Sequence, residues 1–337
     1  MLPVGQTDPL PGFGFGSQVL LKTKVRHSGA KAPRPLKPAL QANYNRVMRV
    51  LALLCLASAA GAQTLPEILS RVSEEAEVFR NVASQVVSEE TLTQRALKAP
   101  SRHPRVGAAA AEPQPPIRQT REIVSEYSFG ALKDAPESLH EFRQVVSVDG
   151  EAISAAAAAR HSLALGLASA DDHTRKRMLD DFQKYGLTTA VVDFGPLLLL
   201  FTKRQTGNYR FELAGSDRIG ADQVKIVSYT QVAGPDRMHV FQGHRAIHQP
   251  IQGRIYARVP DGLPLRITIV ESRENGKTTF RDEAVVDYTP NAQGFLAPAA
   301  VTHKGFAGDE LLVEDEFRYT TFRKFGADAA IKFDVQQ

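Results

Sequence analysis

The stretch GRIYARVPDGLPLRITIVESRENGKTTFRDEAVVDYTPN, residues 253–291, reads as three strands and two turns. Ile255, Ala257 and Val259 alternate with Arg254, Tyr256 and Arg258. Pro260-Asp261-Gly262 is a turn. Leu265, Ile267 and Ile269 then alternate with Arg266 and Thr268. Asn275-Gly276 predicts a two-residue hairpin turn, and the chain returns over 277–288. Neighbouring side chains on a strand point to opposite faces, so these strands have one apolar and one polar face. Connections this short force antiparallel pairing, because parallel neighbours need a crossover. The apolar face must then be covered by something else in the chain.

Working outward, the same signals recur. Tyr209, Phe211 and Leu213 alternate with Arg210 and Glu212, and residues 222–232 form another run. Strands over about 298–305 and 310–323 follow the hairpin. Upstream, 86–97, 117–129 and 139–148 read as strands, the last closed by Asp149-Gly150. Between 97 and 117 lies a Pro/Ala segment, KAPSRHPRVGAAAAEPQPP, expected to be a flexible loop over 98–116. The covers are helical. Thr64-Leu65-Pro66-Glu67 is a capping box, followed by Leu65, Ile68, Leu69, Val72, Ala76 and Phe79 at helical spacing, which predicts a helix over about 65–82. A helical insertion over 152–201 comprises an Ala-rich run, a start capped by Ser169 and Asp172, and LLLLF at 197–201. That last segment follows Gly195-Pro196 and is expected to be a short buried helix, with a buried strand as the alternative. The fold class is therefore α+β: a strongly curved antiparallel sheet of about ten strands, an incomplete barrel, with helices covering its concave face.

This order of elements resembles the periplasmic lipoprotein carriers of the LolA/LolB type and uncharacterised secreted bacterial proteins of that fold. The resemblance is carried by residues 253–291, with LPLR at 263–266 between turn and strand, and by GFAGDELLVEDEFRYTTFRKF at 305–325. It implies an N-terminal helix, an incomplete antiparallel barrel and helices plugging the open side. It also implies carriage of an apolar ligand, and it carries no individual binding residue over to this chain.

The N-terminal region decides how the charge is read. Met48 and Arg49, a short apolar stretch from Val50, and Ala60-Gly61-Ala62 follow one another as in a secretory signal peptide. The apolar part is too short for a bilayer, which takes about 20 residues, and a buried core helix is the other reading of it. Residues 48–62 are thus expected to be a signal peptide cleaved near Ala62, with Gln63 the first mature residue and Met48 the biological start. Residues 1–47 are read as disordered, and as not translated or not mature. The exported remainder, 63–337, is expected to form a single half-barrel domain in the periplasm or at the cell surface, with no transmembrane span. The whole chain has 41 basic and 37 acidic residues, of which eight basic residues and Asp8 lie in 1–62. Beyond residue 62 this leaves 33 basic and 36 acidic, a net charge of −3, so no basic stripe points to nucleic acid. The single Cys, Cys55, also lies in the signal.

Several clusters invite a chemical reading, and each has a plainer one. His244 and His248 stand at i, i+4 in HVFQGHRAIH and are the candidate metal ligands. Gly243 and Pro250 disfavour a helix there, so a polar hairpin loop with scattered histidines is preferred, and no metal or cofactor is expected. DELLVEDE, 309–316, concentrates five acids, but they flank an apolar centre on a strand rather than bending round an ion, and read as a solvated strand face. Glu89-Glu90, Asp171-Asp172 and Asp180-Asp181 are sequence neighbours, explained by solvation and helix capping. No nucleophile elbow, HExxH, Walker loop or dinucleotide fingerprint occurs in 63–337. The expectation is a non-catalytic protein in which Ile255, Ala257, Val259, Leu265, Ile267 and Ile269 line a cavity for a lipid, an acyl chain or a lipidated protein. The same residues also suit an ordinary core, as in a structural or interaction protein of the cell envelope. A hydrolase with a dispersed site is the third reading.

Overall fold

In the computed structural model, the described residues are 63–98, 115–169, 171–232, 238–242, 245–249, 251–320 and 322–325, without the side chains of 137, 238–249 and 275. Residues 1–47, the expected signal peptide at 48–62 and residues 99–114 of the Pro/Ala segment lie outside them.

The first helix, α1 (Leu65–Val82), starts where the capping box predicts: the Thr64 N–H donates to a Glu67 carboxylate oxygen at 2.8 Å. It buries Ile68, Val72, Ala76 and Phe79 along one face. A short 3₁₀ turn leads into β1 (Val86–Lys98), then β2 (Ile117–Leu132), β3 (Ala135–Val148) and the two-residue β4 (Glu151–Ala152). Asp149 and Gly150 both have positive φ, 49° and 82°, as the predicted tight turn requires. Helices α2 (Ala156–Ala168) and α3 (Asp172–Gln183) follow. Asp171, not Ser169, caps α3, its carboxylate accepting the His173 N–H at 3.0 Å. Ser169 instead accepts the Asp171 N–H, which places it two residues too early to cap. Residues 195–201 form a buried 3₁₀ helix, tighter than the α-helix that a Pro near its start would have allowed.

The remaining strands are β5 (Tyr209–Ile219), β6 (Asp222–Gln231), β7 (Met238–Gln242), β8 (Arg245–Gln249), β9 (Gln252–Arg258), β10 (Pro264–Asn275), β11 (Thr278–Pro290), β12 (Leu296–Ala307), β13 (Glu310–Tyr319) and β14 (Arg323–Lys324). Twelve strands form one antiparallel sheet in the order β4-β3-β2-β1-β13-β12-β11-β10-β9-β6-β5, with β14 beside β1. The order does not close on itself, so the sheet is an incomplete barrel, as the alternation implies. The extra strands over the expected ten are the short β4 and β14 and the separate β7–β8 hairpin. The β10–β11 turn sits one residue later than expected. Asn275 pairs with Thr278, and Gly276-Lys277 is the loop, with Gly276 at φ 64° in the first central position.

The N- and C-terminal strands meet through β1–β13, so the inner face is continuous across most of the sheet. Cross-strand pairing lines up Val227, Ile255, Ile267, Val286, Val301, Phe317, Leu92 and Ile123 in one unbroken row from β6 to β2. Every member is essentially buried. α1 and the 195–201 segment cover this inner face. Helix α2 does not. Its Arg160 pairs with Glu126 and its Leu167 abuts Gly130, whereas the alternate residues Tyr127 and Phe129 meet Glu141 and Phe79 on the inner side. Alternation therefore puts α2 on the outer face of β2–β3. The small Gly130 lets a helix approach there, where sequence reading placed all the helices on the concave side.

Candidate functional site

The inner face has two chemically different halves. On β6, β9 and the Leu265–Ile269 and Ala284–Val286 parts of β10 and β11 it is apolar. Ile255, Ala257 and Ile267 are fully buried, Ile269 and Leu265 nearly so, and Val259 is half-buried next to the 260–262 turn. Five of the six residues expected to line a cavity thus lie together on two paired strands, deep in the core, and Val259 falls in the turn just past β9. Phe201 closes over this half, its ring 4.9 Å from Tyr229 and 5.7 Å from Tyr209 in edge-on contacts.

On β1, β2, β3, β12 and β13 the same inward positions carry polar groups. Arg143 grips Glu90 through Nε at 2.6 Å and Nη2 at 2.7 Å, and Nη2 also reaches Glu141 at 2.9 Å. Tyr127, Phe182 and Phe317 pack their rings against the same guanidinium. All three charged partners are buried, an arrangement that stands only when each charge is answered. Burial pushes the Glu90 carboxyl up despite Arg143, and pushes the Tyr127 and Tyr319 phenols up as well. A second cluster centres on His303, whose Nδ1 meets Asp315 at 3.2 Å and Nε2 meets Asp282 at 3.0 Å. Burial works against its imidazolium, but hydrogen bonds to the two carboxylates win and raise its pKa to about 9. Phe194 stacks on the same ring, centroids 5.3 Å apart.

These polar groups hold the backbone of residues 187–198. Gln94 Oε1 accepts the N–H groups of Leu187 at 2.5 Å and Thr188 at 3.1 Å, while its amide donates to Asp315. Glu141 accepts the N–H groups of Asp193 and Gly195, both at 2.8 Å, together with the Tyr127 hydroxyl. Asp193 returns the contact, accepting the Glu141 N–H at 2.7 Å and meeting His140 Nδ1 at 2.7 Å. That reciprocal lock holds Asp193 at φ 72°, a left-handed conformation that costs a non-glycine residue of order 1 kcal/mol. The Tyr288 hydroxyl donates to Gly195 O at 3.0 Å and accepts the Leu198 N–H at 3.1 Å. The Gly195–Phe201 segment is therefore a plug laid on the inner face, tied at the backbone of Gly195 and Leu198 by side chains of β3 and β11, while Gln94 of β1 and Glu141 of β3 hold the backbone of 187–193 that leads into it.

Sequence reading missed most of this. Glu90 is buried and ion-paired, not solvated beside Glu89. Asp315 is likewise fully buried, so DELLVEDE is not a uniformly solvated face. The signal was parity: Glu90 shares its face with Leu92, His303 with Val301, and Asp315 with Phe317. The His140–Asp193 and His303–Asp315 contacts are closed off from solvent, with Asp193 and Asp315 held by further hydrogen bonds to the Glu141 N–H and the Gln94 amide, whereas Asp282 is partly exposed. His244 lies outside the described residues and His248 falls in β8, its side chain likewise outside them. Among the described residues, no group of three or more His, Cys, Asp or Glu is arranged to hold a metal ion, and no helix is long and apolar enough to cross a membrane.

No family model matches the chain, and no curated protein matches it. Solved structures similar to it include an outer membrane lipoprotein-sorting protein domain from Vibrio parahaemolyticus, at 8% identity and TM-score 0.32, covering 77% of this chain and 92% of that one. A LolA superfamily protein from Nitrosomonas europaea aligns at 9% identity and TM-score 0.30, over 76% of this chain and 93% of that one. A DUF1329 family protein from Desulfovibrio piger aligns at 10% identity and TM-score 0.30, over 77% and 94%.

Proposed function

We propose that the chain is an exported, non-catalytic carrier that takes up an apolar ligand, a lipid, an acyl chain or a lipidated partner, on the inner face of its half barrel. One observation carries this reading. The inner face presents an unbroken apolar row, covered by α1 and by the short Gly195–Phe201 plug, which side-chain hydrogen bonds hold at Gly195 and Leu198. A ligand that displaces the plug meets Ile255, Ala257, Leu265, Ile267 and Ile269, with Val259 at the rim. Export is supported by the Arg49-to-Ala62 pattern. N-terminal sequencing of the secreted protein should find Gln63 first; an intact Met1 would refute it.

A second reading has its own support. Ile255, Ala257 and Ile267 are already fully buried against the protein's own side chains, as in an envelope interaction protein with a filled core. Tyr288→Phe separates the two. It deletes both hydroxyl hydrogen bonds to the plug and should cost about 1–3 kcal/mol of stability. If the plug is exchangeable, the variant binds a fluorescent fatty acid more tightly than the wild type. If wild type and variant both leave the probe unbound, the filled-core reading stands and the carrier reading fails.

A further inference from the structure

A cleft of about 470 Å³ lies between the end of α1 and the β2–β3 hairpin, away from the six inner-face residues above. Phe129, Leu139, Leu167 and Pro136 give it apolar walls, and Arg80 and Arg175 bring two guanidiniums to it. No acidic side chain is among its described lining residues. Arg175 is held rigidly. Its Nη1 donates to Ala131 O at 2.8 Å and more loosely to Asp172 at 3.4 Å, its Nη2 donates to Leu167 O at 2.9 Å, and its Nε is shielded from solvent without a hydrogen-bond partner. Arg80 is half exposed at the last turn of α1, paired with Glu77. Two cations beside an apolar floor suit a molecule with an anionic end and a hydrocarbon body, because guanidinium binds carboxylate and phosphate through charge-assisted hydrogen bonds. The volume falls in the range of small-ligand sites, about 300–1,000 Å³.

We propose that this cleft receives the head of a single-chain anionic amphiphile, an alkyl chain ending in a carboxylate or a phosphate. The head sits between Arg80 and Arg175, and the first part of the chain lies against Phe129, Leu139 and Leu167. Phe129 makes the cleft continuous with the interior. Its ring stands edge-on to Phe79 at 5.1 Å and stacks on Phe322 at 6.4 Å, and Phe79 contacts Phe295 at 5.7 Å. The rest of the chain would follow this aromatic cluster between α1 and the sheet, a path that rests on the carrier reading above. The site adds to that reading a preference for an anion at one end.

Calorimetric titration of the purified full-length chain with laurate, dodecyl phosphate and neutral monolauroyl glycerol tests the site. Both anions should bind, and the neutral lipid at least about tenfold more weakly. Arg80→Gln, an exposed substitution, should weaken both anions about tenfold and leave the neutral lipid unchanged. Ser84→Trp, which adds bulk at the rim, should weaken all three. The tighter of the two anions identifies the head as fatty acid or lipid phosphate. Equal binding of neutral and anionic lipids, or anion affinities untouched by Arg80→Gln, would overturn the anionic head while leaving an apolar carrier intact. Binding of none of the three would remove both.

Discussion

Glu141 shows how much one side chain can organise. Its carboxylate answers Arg143, Tyr127 and the backbone N–H groups of Asp193 and Gly195 at the entry to the plug, and its own N–H answers Asp193. Gly195 stands where it does because nothing larger fits: a Cβ there would lie 2.4 Å from Glu141 Oε1 and 2.8 Å from the Tyr127 hydroxyl. Gly195→Ala should therefore lower stability by about 1–3 kcal/mol, read from denaturant midpoints, through overpacking of this junction. Arg143→Met should be worse, about 3–5 kcal/mol, because it leaves two buried carboxylates facing each other. If Arg143→Met unfolds at the wild-type midpoint, the network is not holding the inner face. None of this was legible in the residues alone. SEETLTQ and ESLHEFRQ look like solvated strands, and alternation states which residues share a face, not whether a polar member of that face has found buried partners.

At the scale of elements, the strands and turns were readable because period-2 alternation and turn chemistry are local. α1 was readable because capping box and helical spacing agree. The placement of α2 was not, since an Ala-rich helix with little amphipathicity fits either face, and Gly130 decided the matter through a contact distant in sequence. The cluster of Glu271, Asp282 and His303 across β10–β12 also has a pH signature. Burial first, and then Asp282, raise Glu271 from an ordinary value near 4.5 to about 7, while the His303 cluster sits at about 9. Both groups have folded-state values above their unfolded ones. Their contribution is complete below the unfolded pKa and is lost as pH rises through the folded one. Stability should thus fall between about pH 4.5 and 7 through Glu271 and between about 6.5 and 9 through His303. Thermal melts of Glu271→Gln should lose the lower limb and keep the upper one. A melting temperature that rises across the lower range in the wild type would contradict the burial of Glu271.

For the whole molecule, the division of the inner face is the organising feature. Glu141 of β3 and Tyr288 of β11 fasten the plug, a polar cluster on β1, β12 and β13 lies beside the segment leading into it, and apolar strands on the β6–β11 side lie beneath its far end. A protein that only needed a filled core could have used apolar residues throughout, since buried ion networks are weak contributors to stability. A fastened plug over an apolar row is what a carrier exchanging its own segment for a ligand requires. The most direct test is photo-crosslinking with a fatty acid carrying a diazirine at the end of its chain, followed by mass-spectrometric mapping of the adducts. Saturable labelling concentrated on Ile255–Ile269 and on Leu197–Phe201, competed by unlabelled fatty acid, is the expected result. Labelling that does not saturate, or that falls only on the outer surface of the sheet, would contradict the carrier account.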